Sequence, residues 1–228
     1  FRVPEVFSYS CKDMKLSLGL QLGALQESKQ YAADIPNFLE PWYGIGVVAS
    51  AFGVEYEWPK GQAPGIKPVF KSVREALNYD RNPIEENAIG KHVLGMIAYF
   101  LEQTGGKVPI SLTDTQSPLN TASLIVENNS LFMSFFDCLD ELKQLLQIIT
   151  DLLIGFTKKQ IELIGKPLVY PGHGFASSTG FQGLGMSDDI MSMLSDDQYV
   201  NFELPFLEQA GVPFGGVAFH SCGNWSAK

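Results

Sequence analysis

The sequence predicts an α/β fold with a mostly parallel sheet. Strongly periodic amphipathic segments alternate with short apolar runs, the pattern left by helices that cover a sheet buried on both faces. No repeat and no Pro/Gly/Ser-rich linker divides the chain. Of its residues 45% are hydrophobic and 18% charged, with mean hydropathy +0.04, enough apolar surface to offset chain entropy. At 228 residues it can bury one substantial core and is slightly shorter than the roughly 250 residues of a complete (β/α)8 barrel. A single domain over 1–228 is expected.

A helix is predicted over about 83–103, where Ile89, Val93, Met96, Ile97 and Phe100 recur at helical spacing before Gly105-Gly106. The run 108–112 then reads as a strand. The clearest helix spans about 137–164: Leu142, Leu145, Leu146, Ile149, Leu152, Leu153 and Phe156 share a face, Asp140 and Glu141 sit in the first turn, and Gly165 stops it. Strands are expected at 167–170 and 217–219. Between them Ser195-Asp196-Asp197-Gln198 reads as a capping box opening another helix, which Pro205 must kink or end. Polar residues follow each strand: Thr113 to Ser117 after the first, Gly172-His173-Gly174 after the second, His220 to Asn224 after the third. In a parallel barrel such loops gather at the C-terminal mouth.

Acidic residues exceed basic ones by 25 to 16, giving net charge −9. That balance argues against a phosphate-neutralising surface, so nucleic acid is not an expected partner. The longest nearly apolar stretch, 45–54, is interrupted by Gly46, Ser50 and Gly53 and falls well below the roughly 18 residues of a membrane span. Cys11, Cys138 and Cys222 are too few and too scattered for a disulfide framework, which points to a reducing, cytoplasmic setting. The chain opens Phe1-Arg2-Val3 without Met, which fits a start that was removed, processed or never included.

His220-Ser221-Cys222 is the sharpest chemical signal. Alternation at an extended strand end points the imidazole and the thiol to one side, where they suit Zn²⁺. The competing reading is a buried histidine beside an inert core cysteine. His173 is an additional ligand or a base, or else part of a surface loop. Asp188 and Asp189 offer a carboxylate pair for acid–base work, or simply cap a loop. Asp114 and Gln116 are candidates for hydrogen bonds to a substrate. The 172–185 stretch lacks the glycine geometry of a dinucleotide site, and no Walker lysine follows it.

Six segments occur in a telling order: Asp114-Thr115-Gln116-Ser117-Pro118 ahead of a helix, the 137–164 helix, Ser187-Asp188-Asp189, Leu194 to Tyr199, Leu204-Pro205-Phe206, and Phe219-His220-Ser221-Cys222-Gly223-Asn224. In order and spacing they resemble the uroporphyrinogen decarboxylase superfamily, which includes cobalamin-dependent methyltransferases. Ala51-Phe52-Gly53-Val54-Glu55-Tyr56 resembles the family's A-L-G-M-E-V segment and extends the likeness back to about residue 40. The resemblance implies a TIM (β/α)8-type barrel of this superfamily, incomplete at the C-terminus with its last strands absent, and a site at the strand C-termini.

Family decarboxylases are implied to protonate a tetrapyrrole without metal, using an Asp, a Tyr and an arginine-rich N-terminal motif. Placing Ala51-Phe52-Gly53 on the family motif puts Gly44 at the Asp, and placing Pro118 on the family proline puts Leu124 at the Tyr. Arg2 is the only arginine before Arg74. The methyltransferase branch instead carries H-x-C-G at the position of His220 to Gly223. There His220 and Cys222 resemble zinc ligands, with the third a later Cys beyond Lys228 or a local residue such as His173. The resemblance thus implies zinc-dependent methyl transfer between a methylated corrinoid protein and a small thiol or related acceptor. His220 and Cys222 would hold the metal, Asp188, Asp189 and His173 would be catalytic, and Asp114 and Gln116 would bind substrate. The alternatives are decarboxylation of a tetrapyrrole or smaller acid, and a noncatalytic corrinoid- or partner-binding barrel.

Overall fold

In the computed structural model, which describes residues 4–32 and 37–224, helices dominate and the strands are two to four residues long. The predicted helices form with shifted starts. Helix α3 is Ala88–Thr104, closed by Gly105 in the left-handed conformation at φ 58. Its start is delayed by a separate 3-10 turn, Ile84–Glu86, and Asn87 caps it by accepting from the Gly90 amide. The long helix is α6, Leu139–Ile164, with Cys138 breaking it from α5, Asn128–Asp137. One face of α6 buries Leu142, Leu145, Leu146, Ile149, Leu153 and Phe156, as its spacing predicts. It packs against α2 (Val73–Asn78), α3, α4 (Pro118–Ile125), α5 and α8 (Leu204–Gly211).

Helix α1, Met14–Ser28, carries no periodic signal: Leu16, Leu18, Leu20 and Leu22 alternate, and only Leu18 of the four is buried. The Asp13 side chain starts it by accepting from the amides of Lys15 and Leu16. The Ser195 capping box is present and opens the short α7, Asp196–Gln198. The break expected at Pro205 falls just ahead of it. A π turn, Tyr199–Glu203, intervenes, and Pro205 sits in the first turn of α8, where a missing N–H costs nothing.

The strands are β1 (Ile110–Ser111), β2 (Leu168–Val169), β3 (Leu184–Ser187) and β4 (Val217–His220). Sequence patterning misses β3 because Gly183 and Gly185 make it read as loop. Pairing is parallel throughout these strands: β1 with β2 and β3 with β4. Parallel bridges join Leu39 to Ile110 and Gln116 to Ser187, and the Gly185 amide donates to the Pro171 carbonyl at 3.0 Å. The strands thus form two two-stranded sheets, β1–β2 and β3–β4, which these contacts link into one parallel array from Leu39 to β4.

Among the described residues this array does not close into the expected (β/α)8 barrel. Beyond β1 and Leu39 the ladder stops early because side chains take over the backbone groups. Gln160 Oε1 accepts from the Thr113 amide at 3.0 Å, and the Thr113 hydroxyl donates to the Pro41 carbonyl at 2.8 Å. The core lies between the array and the helices, with Ile110, Leu112, Phe52, Met96, Ile97 and Phe100 fully enclosed. Among the described residues no helix is long and apolar enough to cross a membrane.

Candidate metal centre and the acidic mouth

The array delivers its polar loops to one end. At the end of β4, His220 and Cys222 turn to the same side, with His220 Nε2 3.3 Å from Cys222 Sγ. Asp189, just past β3, completes the group: its Oδ1 accepts from the Cys222 amide at 2.7 Å. The three ligand atoms of Asp189, His220 and Cys222 lie within 4.8 Å of one another, and all three residues are exposed. An imidazole, a sulfur and a carboxylate converging at this range suit a tetrahedral divalent cation with one position left for a substrate. The Asp189 charge, with a smaller contribution from partial burial, raises the Cys222 thiol above its ordinary pKa. A bound cation would reverse that preference and hold the sulfur as thiolate.

Asp188 faces the other way. It is fully buried; its amide donates to the His220 carbonyl at 2.8 Å, and its Oδ1 accepts from the Met191 amide at 2.9 Å. Its side chain meets Glu203, also fully buried, which reaches in from the π turn. Burial first, then the nearby Asp188 carboxylate, raises the Glu203 pKa well above the ordinary value. The two adjacent aspartates therefore do not form one acid–base pair: one faces solvent and the metal group, the other the interior.

His173 lies in the loop after β2 and joins a second group rather than the first. Its Nδ1 pairs with Glu40 Oε1, and its Nε2 lies 3.8 Å from Asp114 Oδ2. Because the carboxylates address opposite ring nitrogens, the ring is clamped between them. Asp114 is almost fully buried and also accepts from Trp42 Nε1 and Gln116 Nε2, both at 3.2 Å. Burial raises its pKa; the neighbouring His173, Trp42 and Gln116 oppose that shift, and Glu40 adds to it. Gln116 in turn accepts from Asn120 Nδ2 at 2.6 Å, so its amide is engaged at both ends by protein.

Glu40, Trp42 and Glu203 escape the sequence reading. Glu40 and Trp42 directly follow Leu39, whose parallel bridge marks a strand end. Glu203 is a lone acid in the apolar run Phe202 to Leu207, the signal that could have exposed it. Arg2 lies outside the described residues.

Comparison with known proteins adds two findings. The sequence profile of uroporphyrinogen decarboxylase (URO-D) matches residues 10–168. That stretch includes Glu40, Asp114 and Gln116 and stops before the metal group. In three dimensions the chain is similar to a methyltransferase from Methanosarcina mazei, at 20% sequence identity and TM-score 0.74. The similarity covers 98% of this chain and 63% of that one, so the chain spans less than two thirds of the methyltransferase's length. No curated protein matches the sequence.

Proposed function

Since the chain belongs to the uroporphyrinogen decarboxylase (URO-D) family, we propose that it is a zinc-dependent methyltransferase of that superfamily, moving a methyl group between a corrinoid protein and a small thiol or related acceptor. The observation that carries the reading is the convergence of Asp189, His220 and Cys222 at one exposed rim. The methyltransferase from Methanosarcina mazei, which shares the fold, adds support. The aspartate supplies locally the third ligand that the sequence reading sought in His173 or past Lys228. Zinc bound there supplies a Lewis acid that keeps an acceptor sulfur as thiolate at neutral pH.

The protein's own part is to bind, orient and manage protons. His220 and Cys222 offer their donor atoms from one strand end, and Asp189 reaches them from the next strand. The exposed position of all three leaves the methyl donor room to approach. A thiol that becomes a thiolate at this exposed rim can release its proton to solvent, whereas His173, held at both ring nitrogens by Glu40 and Asp114, belongs to the separate acidic group.

The decarboxylase reading is weaker here. Gly44, at the position of the family's catalytic Asp, has φ 81, and a Cβ there would lie 2.7 Å from Pro64 Cγ, so the backbone is shaped for glycine. The test is zinc content together with methyl transfer from a methylated corrinoid to a panel of thiols. The expected result is one zinc per chain and transfer that His220→Ala and Cys222→Ala both abolish. Absence of zinc, or carbon dioxide release from a carboxylated substrate without metal, would overturn the proposal.

A further inference from the structure

Three buried carboxylate oxygens receive no aligned donor: Asp188 Oδ2 and both oxygens of Glu203. The Ser117 hydroxyl and the Leu119 amide lie near enough to Glu203 to favour its charged form, without making an aligned bond. The Asp188 and Glu203 side chains meet each other. Two facing carboxylates, both fully buried, would place adjacent negative charges in a medium that cannot screen them. One proton between them removes that conflict and gives Asp188 Oδ2 a donor.

Asp188 is held on its other sides by bonds that shape the metal rim. Its amide donates to the carbonyl of His220, its Oδ1 fixes the Met191 amide, and the next residue, Asp189, accepts from the amide of Cys222. Of the candidate metal group, Asp189 is therefore adjacent to Asp188 in the chain and His220 is bonded to it, while Cys222 is tied to it through Asp189. The orientation of Asp188 depends in turn on what meets its remaining oxygen.

We propose that Glu203 is a positioning residue for the metal centre, its carboxylic acid donating to Asp188 so that Asp189, His220 and Cys222 stay aimed at one point. This rests on the metal reading given above. The role is indirect, because Glu203 is buried beneath the rim and reaches the ligands through Asp188. A neutral donor at position 203 is sufficient for it; a negative charge there is not required.

The test is zinc affinity, measured by competition with a chromophoric chelator on the whole chain, with thermal melting followed in parallel. Glu203→Met keeps the length and removes the donor. It is expected to weaken zinc binding by about 10-fold, the low end of the loss seen when a direct partner of a metal ligand is removed, because Glu203 acts one residue further out. Glu203→Gln, which keeps a neutral donor, is expected to bind zinc as the wild type does. Asp188→Asn keeps a hydrogen-bonded pair by donating its amide to Glu203, and it too should retain affinity.

Wild-type affinity in Glu203→Met overturns the inference. So does a loss in Glu203→Gln or Asp188→Asn, which would mean that the two carboxylates hold a buried cation instead. If Glu203→Met fails to fold, the other two variants decide the matter: retained affinity in both supports the pair, and loss in either overturns it. A wild type that takes up no zinc sinks the metal reading itself, and this inference with it. Zinc-binding wild type with unchanged Glu203→Met sinks the inference alone.

Discussion

At the scale of single residues, the three cysteines occupy contrasting environments. Cys11 is fully enclosed, and burial pushes its thiol up to about 12, which makes it inert. Cys222 is exposed and is restrained chiefly by the charge of Asp189. In metal-free protein at mildly alkaline pH, Asp189→Asn should therefore speed alkylation of Cys222, because removing the carboxylate lowers the thiol pKa and raises the thiolate fraction. Mass spectrometry of the labelled peptide reads this directly, and added zinc should protect the same residue. Glu203 gives a second prediction. Its folded pKa is raised, so the folded state holds a proton that the unfolded chain releases. Its contribution to stability is fully present below the ordinary carboxylic range and is lost as pH climbs toward the raised native value. Glu203→Gln should flatten that decline and raise the melting temperature at neutral pH relative to wild type.

The sequence reveals some of these residues and hides others for physical reasons. Strand alternation alone puts His220 and Cys222 together. Whether Asp188 or Asp189 faces outward depends on the turn after β3, which alternation does not specify. His173 meets Glu40 across 133 residues, and nothing local marks that pairing.

At the scale of elements, periodicity works where one face is buried and the other wet. Helix α6 satisfies this and is legible from its leucines. Leu146, fully buried on that face, should cost about 2–5 kcal/mol when changed to Ala, as read by chemical denaturation. Helix α1 does not satisfy it, and its alternating leucines imitate a strand. Strand β3 fails for the opposite reason. Its central Gly185 looks like loop chemistry, yet a Cβ there would lie 2.8 Å from the Pro171 carbonyl oxygen, a backbone atom that cannot swing aside. The glycine that conceals the strand is what allows β2's exit and β3 to bond. Gly185→Ala should therefore destabilise the protein by about 1–3 kcal/mol, shown by a lower melting temperature.

At the scale of the whole molecule, the parallel array is enclosed unevenly. Strands β1 and β2 are buried throughout, whereas β4 is half-buried along its length and exposed at His220. Among the described residues β4 is paired only with β3, so its amides should exchange with solvent faster than those of β1 or of α6. Hydrogen–deuterium exchange by peptide measures this gradient, and uniform protection across all four strands would contradict it.

That gradient gives the ligand arrangement a second significance. Asp189 stands at the tip of one ribbon and His220 with Cys222 at the tip of its neighbour, so an ion seated among them would staple the loosest member of the assembly to a firmer one. Titrating zinc should slow deuterium uptake at 217–222 while leaving the distant α1 untouched, making the cation a structural latch as well as a reagent.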